Sequence, residues 1–284
     1  MYQAGLVLEG GGMKGAYTSG VLDYFLEKEI EFSHCYGVSA GAVNLCSFLS
    51  KQKKRGFKTL TEYMGNSRYC GLYSLINYVN IINSQYGYDL VPNYLLPFDR
   101  ETYDKYNGKA YAVVMNIETG EPEYLSIKKM PQGLKIIQAS TALPLMFQTV
   151  EINGNLYLDG GIADAIPIRR SILDGNRKNV VILTKEVGYV RKPATGLQLI
   201  KMRYHKYPKI YEVMKERHNA YNETMEYLKR LEKEGKVFLI QPKVKSDVSR
   251  LEKDEDKMKA LYESGYADAK ECYEALLEFL SGGN

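Results

Sequence analysis

The stretch LVLEGGGMKGAY, residues 6–17, is a short apolar run that breaks into glycine and then enters a segment with helical spacing. A strand that ends in this way directs unpaired main-chain N–H groups, and the partial positive charge of a helix N-terminus, at one point. The glycines therefore predict an anion site. Two ligands stay open: the pyrophosphate of a dinucleotide, suggested by the G-x-G-x-x-G spacing of Gly10 to Gly15, and an oxyanion formed only during a reaction.

A second strand and a second helix follow the first pair closely. FSHCYGV, residues 32–38, has the pattern of a strand, and AVNLCSFLS, which follows SAG, has that of a helix. This order predicts a right-handed β-α-β unit and a parallel sheet, hence an α/β fold. Further strands are predicted over 109–116 and 178–185, with a hairpin turn at Asn153 and Gly154.

The residue composition of the chain changes near residue 195. Charged helical stretches dominate 207–234 and 252–280, which predicts a catalytic domain over 1–195 and a mostly helical C-terminal extension of unknown role over 196–284. Residues 51–100 allow two interpretations: helices packed over the sheet, or a lid or lipid-facing cap.

Composition excludes some classes of function. The chain has 284 residues, 25% of them charged, and a formal net charge of only +4, which does not indicate a nucleic-acid partner. The four cysteines show no C-x-x-C pairing and the first residues do not resemble a signal peptide, so we expect a reduced, cytoplasmic protein. No run is long enough to span a membrane, so any predicted membrane contact is peripheral; the oligomeric state is not indicated.

The second strand ends in GVSAG, Gly37 to Gly41, which fits G-x-S-x-G. In a nucleophile elbow this pattern exposes the serine, here Ser39, on a tight turn between a strand and a helix. If the two strands are neighbours, the N–H groups of Gly11 and Gly12 face Ser39, as an oxyanion site requires. A dinucleotide site needs an acidic residue at the end of the second strand, where Val38 and Ser39 stand, and is therefore disfavoured.

A nucleophilic serine needs a base, and few candidates exist. His34 lies within the second strand, whereas His205 and His218 lie beyond the predicted boundary. Asp159, in YLDGG, ends a β run and opens a glycine turn. A histidine-dependent hydrolase with the chain order Ser39, Asp159 and then His205 or His218 remains an alternative.

Three motifs together resemble the patatin-like phospholipases, a family of serine acyl hydrolases with a Ser-Asp dyad. They are GGGMKG at 10–15, GVSAG at 37–41 and DGG at 159–161, and the stretch ASTALPLMF at 139–147 is also similar to the family. The resemblance covers about residues 4–185. It implies a three-layer α/β/α fold with a mainly parallel sheet, a lipid or fatty acyl ester substrate, and neither a metal nor an organic cofactor.

The resemblance also implies roles for individual residues. Ser39 is the expected nucleophile and Asp159 the expected base, while Lys14 stands where the family often has arginine and either sets the glycine loop or attracts a phosphate. The residues expected to form the oxyanion hole are Gly10, Gly11, Gly12 and Ala40. The positions expected to support the motifs are Gly15, Gly37, Gly41, Gly160 and Gly161.

Two points limit the resemblance. After DGG this chain has Asp164 and Ala165 where relatives commonly carry an Asn pair, which leaves a second carboxylate near the predicted base. The C-terminal stretch resembles the extension of one bacterial branch of the family, for which no activity is implied. A non-catalytic lipid-binding or acyl-binding protein remains a further alternative.

Overall fold

The computed structural model describes residues 1–62, 83 and 85–282. Within them, eight strands form one sheet of order β5-β6-β3-β2-β1-β7-β8, with β4 also paired to β3. Neighbours from β3 through β2, β1 and β7 to β8 run parallel, whereas β4 and β6 run antiparallel to β3. The strands are β1 (Tyr2–Leu8), β2 (Phe32–Val38), β3 (Lys109–Asn116), β4 (Pro122–Ser126), β5 (Val150–Ile152), β6 (Asn155–Asp159), β7 (Asn179–Ile182) and β8 (Val237–Ile240).

Helices connect these strands and cover both faces of the sheet. In the described part of the chain, none of them is both long and apolar enough to cross a bilayer. They are α1 (Gly15–Glu27), α2 (Ala40–Leu49), α3 (Arg55–Thr61), a π-helix (Tyr86–Leu95), α4 (Arg100–Asp104), α5 (Gln132–Ser140), α6 (Ile168–Leu173), α7 (Leu197–Arg203), α8 (Pro208–Lys233), α9 (Glu255–Glu271) and α10 (Tyr273–Ser281).

The lid interpretation of residues 51–100 stays untested. Helix α3, the π-helix and the start of α4 lie in this stretch, but residues 63–82 and 84 lie outside the described residues.

The alternation of side chains along β1 explains the layers. Leu6 and Leu8 point into one core cluster, whereas Val7 points into another on the opposite face of the sheet. The first cluster includes Phe25 of α1 and the second includes Leu228 of α8. The predicted mixed α/β fold with a mainly parallel central sheet is therefore confirmed.

The C-terminal part is mostly helical, as predicted, and it also completes the sheet. Strand β8 pairs with β7 at the edge, and α9 crosses α1 so closely that a Cβ on Gly20 would lie 2.0 Å from the carbonyl oxygen of Tyr262. The Tyr17 hydroxyl of α1 donates to Asp268 of α9 at 2.8 Å. Residues on both sides of position 195 share one sheet, and the division there stays a prediction.

Candidate active site

Ser39 occupies the sharp turn between β2 and α2. Its φ of 53° and ψ of −120° lie in a region that costs a non-glycine residue strain. Its N–H donates to the hydroxyl of Ser140 at 3.0 Å. The turn depends on small neighbours, because a Cβ on Gly37 would lie 2.6 Å from the Cα of Ala42 and one on Gly41 2.6 Å from the oxygen of Leu8. The structure thus places a half-buried serine where a nucleophile elbow has one.

The glycine loop after β1 lies directly against this serine. A Cβ on Gly10 would come within 3.0 Å of the Cβ of Ser39, and Gly12 has a φ of +59°, which favours glycine. Within the described residues, the N–H groups of Gly11 and Gly12 find no main-chain acceptor. Gly15 packs on Ala40, where an added Cβ would lie 2.9 Å from the alanine Cβ. The loop is therefore in position to offer N–H donors beside Ser39.

Asp159 ends β6, and its side chain is buried, with 2% of the residue exposed. One carboxylate oxygen accepts the N–H of Gly161 at 2.7 Å, and the Ser39 hydroxyl lies within hydrogen-bonding reach. Burial raises the pKa of Asp159 above its ordinary 3.8, and the hydrogen bonds from Ser39 and Gly161 oppose that rise. Gly160 passes so close to β3 that a Cβ there would lie 2.2 Å from the oxygen of Val113.

The other candidate base residues are engaged elsewhere. Asp164 accepts the hydroxyl of Tyr124 at 2.7 Å and the N–H of Ile166 at 3.2 Å. His34 contacts the hydroxyl of Ser33. His205 and His218 each contact a carbonyl of their own segment, and none of the three histidines, all within the described residues, lines either of the two cavities at Ser39.

Two cavities meet at Ser39. The first, the apolar cavity, extends under α2, α5 and the π-helix and is lined by residues such as Val43, Leu60, Val91, Ile137, Met146 and Phe147. The second, the cationic cavity, opens on the other side of the serine and includes Asp159 and Gly161. Ser39, Gly12, Leu143 and Arg250 line both. The positively charged residues that line the cationic cavity are Lys14, Lys185, Arg191, Arg217 and Arg250.

Sequence reasoning missed a buried carboxylate that supports the glycine loop. Glu9 is fully buried and accepts the N–H of Thr184 at 2.7 Å and the hydroxyl of Tyr221 at 2.9 Å. The Thr184 hydroxyl lies 3.1 Å from the carbonyl oxygen of Gly10. Glu9 therefore ties the loop to β7 and to α8. Glu9 follows β1 directly, and functional side chains gather at the carboxyl edge of parallel strands. Its position in the sequence could therefore have identified Glu9 as a candidate site residue.

Other residues near Ser39 carried weaker signals. Ser140 lies in the stretch ASTALPLMF, and Lys185 follows β7 at the same carboxyl edge as Glu9. No local pattern marks Arg217 in α8 or Arg250 in the loop before α9, because only the tertiary fold brings them to the serine. Lys14, predicted to set the loop or attract a phosphate, donates to the carbonyl of Ser246 at 3.3 Å and lines the cationic cavity.

The α/β fold thus places a serine on a strand-to-helix turn beside a buried carboxylate. The family model for patatin-like phospholipase matches residues 6–172, more than half of the chain. The chain belongs to the patatin-like phospholipase family. Residues 207–281 match a second model, described as a domain of unknown function.

Individual relatives share only part of their length with this chain. An uncharacterized protein of Escherichia coli, YjjU, is 32% identical over 184 residues, which cover 63% of this chain and 51% of YjjU. A probable lipid hydrolase, 463L of Invertebrate iridescent virus 6, is 26% identical over 195 residues, covering 63% of this chain and 66% of that protein. The chain thus spans about half to two thirds of these relatives.

A solved structure confirms the similarity of fold. The crystal structure of VipD from Legionella pneumophila aligns with 97% of this chain and 67% of VipD, at a TM-score of 0.50 and 16% identity. This likeness concerns the fold alone.

Proposed function

We propose that the protein is a lipid acyl hydrolase that cleaves fatty acyl esters with a Ser-Asp dyad. The observation that carries the proposal is that Ser39 and the buried Asp159 carboxylate line the same cavity within hydrogen-bonding reach, whereas none of His34, His205 and His218 lines either cavity at Ser39. Burial makes Asp159 a stronger base than an ordinary aspartate, because it raises the pKa of the carboxyl.

In the first half of the reaction, Ser39 Oγ attacks the ester carbonyl carbon as its proton passes to Asp159. The negative charge that develops on the carbonyl oxygen accepts hydrogen bonds from the N–H groups of Gly11, Gly12 and Ala40. Collapse of the tetrahedral intermediate breaks the bond to the alcohol oxygen. Protonated Asp159 returns its proton to that oxygen, so the alcohol leaves neutral and the acyl group stays on Ser39.

In the second half, water replaces the alcohol. Asp159 takes a proton from the attacking water, and the second tetrahedral intermediate uses the same N–H donors. The bond to Ser39 Oγ then breaks, the serine recovers a proton from Asp159, and the fatty acid departs. Each residue returns to its starting protonation state, and the cycle involves neither a metal nor an organic cofactor.

The apolar cavity supports a fatty acyl substrate. It begins at Ser39 and is walled by aliphatic and aromatic side chains, so the acyl chain would leave water as it enters. The viral relative, named as a probable lipid hydrolase, agrees with this assignment. A cytoplasmic protein with peripheral membrane contact fits such a substrate, and both properties stay part of the proposal.

The direct test is covalent labelling with a fluorophosphonate followed by mass spectrometry of the peptides. We expect one adduct, on Ser39, and hydrolysis of short-chain aryl esters that Ser39→Ala loses. Ser126→Ala is the matched control, because this serine is exposed on β4 and should leave both labelling and turnover intact.

Two outcomes would contradict the proposal. An adduct on another residue would place the nucleophile elsewhere. A folded protein without any adduct, and without ester turnover, would favour the non-catalytic acyl-binding alternative.

A further inference from the structure

The cationic cavity contains more positive charge than the proposed dyad needs. Among the described residues, five cations and one carboxylate, Asp159, line it. The cations are Lys14 after the glycine loop, Lys185 and Arg191 after β7, Arg217 on α8 and Arg250 before α9. They converge from four separate segments, so the cluster is a product of the tertiary fold.

These cations crowd one another. Burial, and then the neighbouring charges of Lys14, Arg191 and Arg250, lower the pKa of Lys185 to about 8. Burial and the charge of Arg191 lower the pKa of Arg217 to about 10. Both directions mean that the charged forms are less stable in the cavity than in water, and a bound anion would stabilise them.

The nearby carboxylates do not balance this charge. Glu9, behind the cavity, and Asp159 partly oppose the lowered pKa values of Lys185 and Arg217, but these two carboxylates face five cations. Arg191 approaches Glu9 only to 3.9 Å, and its buried Nε has no hydrogen-bond partner. A buried donor without a partner is costly, and a bound oxyanion would satisfy it.

The C-terminal part forms one side of the cationic cavity. The carbonyl oxygen of Arg250 accepts the N–H of Met13 at 3.3 Å, and Lys14 reaches the carbonyl of Ser246 at 3.3 Å. Arg217 Nε donates to the carbonyl of Gly161, next to the proposed base, at 2.8 Å. The region that matches a domain of unknown function therefore contributes groups within reach of the reacting centre.

We propose that the cationic cavity binds a phosphate group on the alcohol part of the substrate, with Arg217 and Arg250 of the C-terminal part completing the site. This proposal rests on the proposed acyl hydrolase function. Since the apolar and cationic cavities meet at Ser39, the acyl chain lies on one side of the ester and the phosphate on the other. A net-negative phosphate headgroup fits this lining, whereas a zwitterionic headgroup brings a cation into it.

Short-chain substrates with identical acyl groups test the proposal without interference from membrane charge. We would compare dihexanoyl phosphatidate, dihexanoyl phosphatidylcholine and dihexanoylglycerol as monomers. We expect phosphatidate to have the highest kcat/KM of the three substrates. In Arg250→Gln, whose side chain is exposed at the cavity mouth, the preference for phosphatidate over dihexanoylglycerol should fall about tenfold to a hundredfold, as for the loss of a charge-assisted hydrogen bond.

The matched control is Lys253→Gln, three residues further along and exposed away from both cavities, which should keep the wild-type preference. An equal loss in both variants would mean that general surface charge attracts the substrate, and would overturn the proposal. Equal kcat/KM for phosphatidate and dihexanoylglycerol in the wild type would overturn it as well.

Inorganic phosphate separates a lipid headgroup from a free anion. Calorimetry on Ser39→Ala should show phosphate binding that Arg250→Gln weakens, and this readout does not depend on turnover. In the wild type, phosphate should compete with phosphatidate and leave dihexanoylglycerol turnover nearly unchanged. Phosphate that binds through Arg250 and changes dihexanoylglycerol turnover, without any preference for phosphatidate, would assign the site to a free anion instead.

Failure of the parent proposal would look different. In that case dihexanoylglycerol would not be hydrolysed and Ser39 would not react with a fluorophosphonate, whereas phosphate binding by Ser39→Ala would still report on the cavity. An absence of phosphate binding would then overturn the cavity assignment as well.

Discussion

The two cavities that meet at Ser39 differ in where their residues come from. The apolar cavity is lined mostly by residues within 6–172, the range of the patatin-like match. The cationic cavity takes four of its cations, Lys185, Arg191, Arg217 and Arg250, from residues after that range. The residues of the apolar cavity lie in or near short local motifs, whereas the cationic cavity is completed by Arg217 and Arg250 when the C-terminal part packs against the sheet.

The contrast suggests that the residues of the reaction and the residues that select the headgroup lie in different parts of the chain. The expected nucleophile, base and oxyanion donors all lie in the family domain, and the acyl chain would bind beside them. In the proposed binding mode, the alcohol side of the ester would face Arg217 and Arg250 of the C-terminal part. Variation in that part would therefore change which headgroup is accepted while the dyad stays the same.

The largest expected effect comes from the point that both cavities share. Asp159→Asn should lower kcat for every ester substrate by at least about 10⁴-fold, because loss of the aspartate that only orients the histidine base of a serine-protease triad already costs about that much. The amide cannot accept the Ser39 proton, although it fits the same space. Steady-state kinetics on an aryl ester and on a phospholipid should show equal losses, and a loss confined to one substrate would contradict a common base.

The same variant should be at least as stable as the wild type. The folded-state pKa of Asp159 is raised, so the stability it contributes is fully present below the unfolded pKa and is lost as pH rises through the folded pKa. At neutral pH the buried charge is a cost that asparagine removes. Thermal melts at pH 7 should therefore give an equal or higher Tm for Asp159→Asn, with the difference shrinking as the pH falls.

The next effect concerns the glycine loop. Gly10→Ala places a methyl group 3.0 Å from the Cβ of Ser39 and should displace the oxyanion donors, lowering kcat about 10²-fold with little change in KM. Gly282→Ala is the control for the loss of a glycine, because it has a negative φ, lies at the exposed end of α10, and gives an added Cβ the same 3.0 Å clearance, here from the carbonyl oxygen of Glu278. If the control lost as much turnover, the effect of Gly10→Ala would reflect folding rather than the site.

Much of the geometry around Ser39 was predictable because it is local. The strand boundaries of β2 and the turn at Ser39 follow from FSHCYGVSAG, since period, glycine spacing and the start of a helix all fall within ten residues. Adjacent parallel strands then bring the glycine loop to the serine. Asp159 was selected with the help of the family resemblance, and the fold places it beside Ser39.

The cationic cavity was not predictable for a physical reason. Arg217 lies in a charged segment whose pattern is typical of a solvated helix face, and Arg250 lies in the polar loop before α9. Nothing in either local sequence distinguishes an arginine that faces a cavity from one that faces water. Arg250 lies in the loop that leads into α9, which docks on α1 through close contacts at Gly20 and Gly265. Arg217 reaches the cavity from α8, which packs on the opposite face of the sheet, and no local periodicity predicts either arrangement.

A change on the apolar side should sharpen the contrast between the cavities. Val43→Phe narrows the apolar cavity, so long acyl chains should lose kcat/KM by about fourfold for each methylene excluded, from about 0.8 kcal/mol per buried CH₂. Butyrate esters and the headgroup preference should be retained. Val187→Phe, at an exposed valine outside both cavities, is the control. A loss that is independent of chain length would contradict the acyl assignment.

The smallest expected effect comes from the C-terminal histidines. If the C-terminal part supplies selectivity and not the base, His205→Ala with His218→Ala should leave ester turnover and Tm unchanged. Both imidazoles contact carbonyls of their own segments and neither lines a cavity at Ser39. A folded double variant without turnover would restore the histidine-dependent triad, because a base would then have to reach Ser39 from the C-terminal part. Retained turnover would leave Asp159 as the base, since it is the carboxylate that lies beside Ser39.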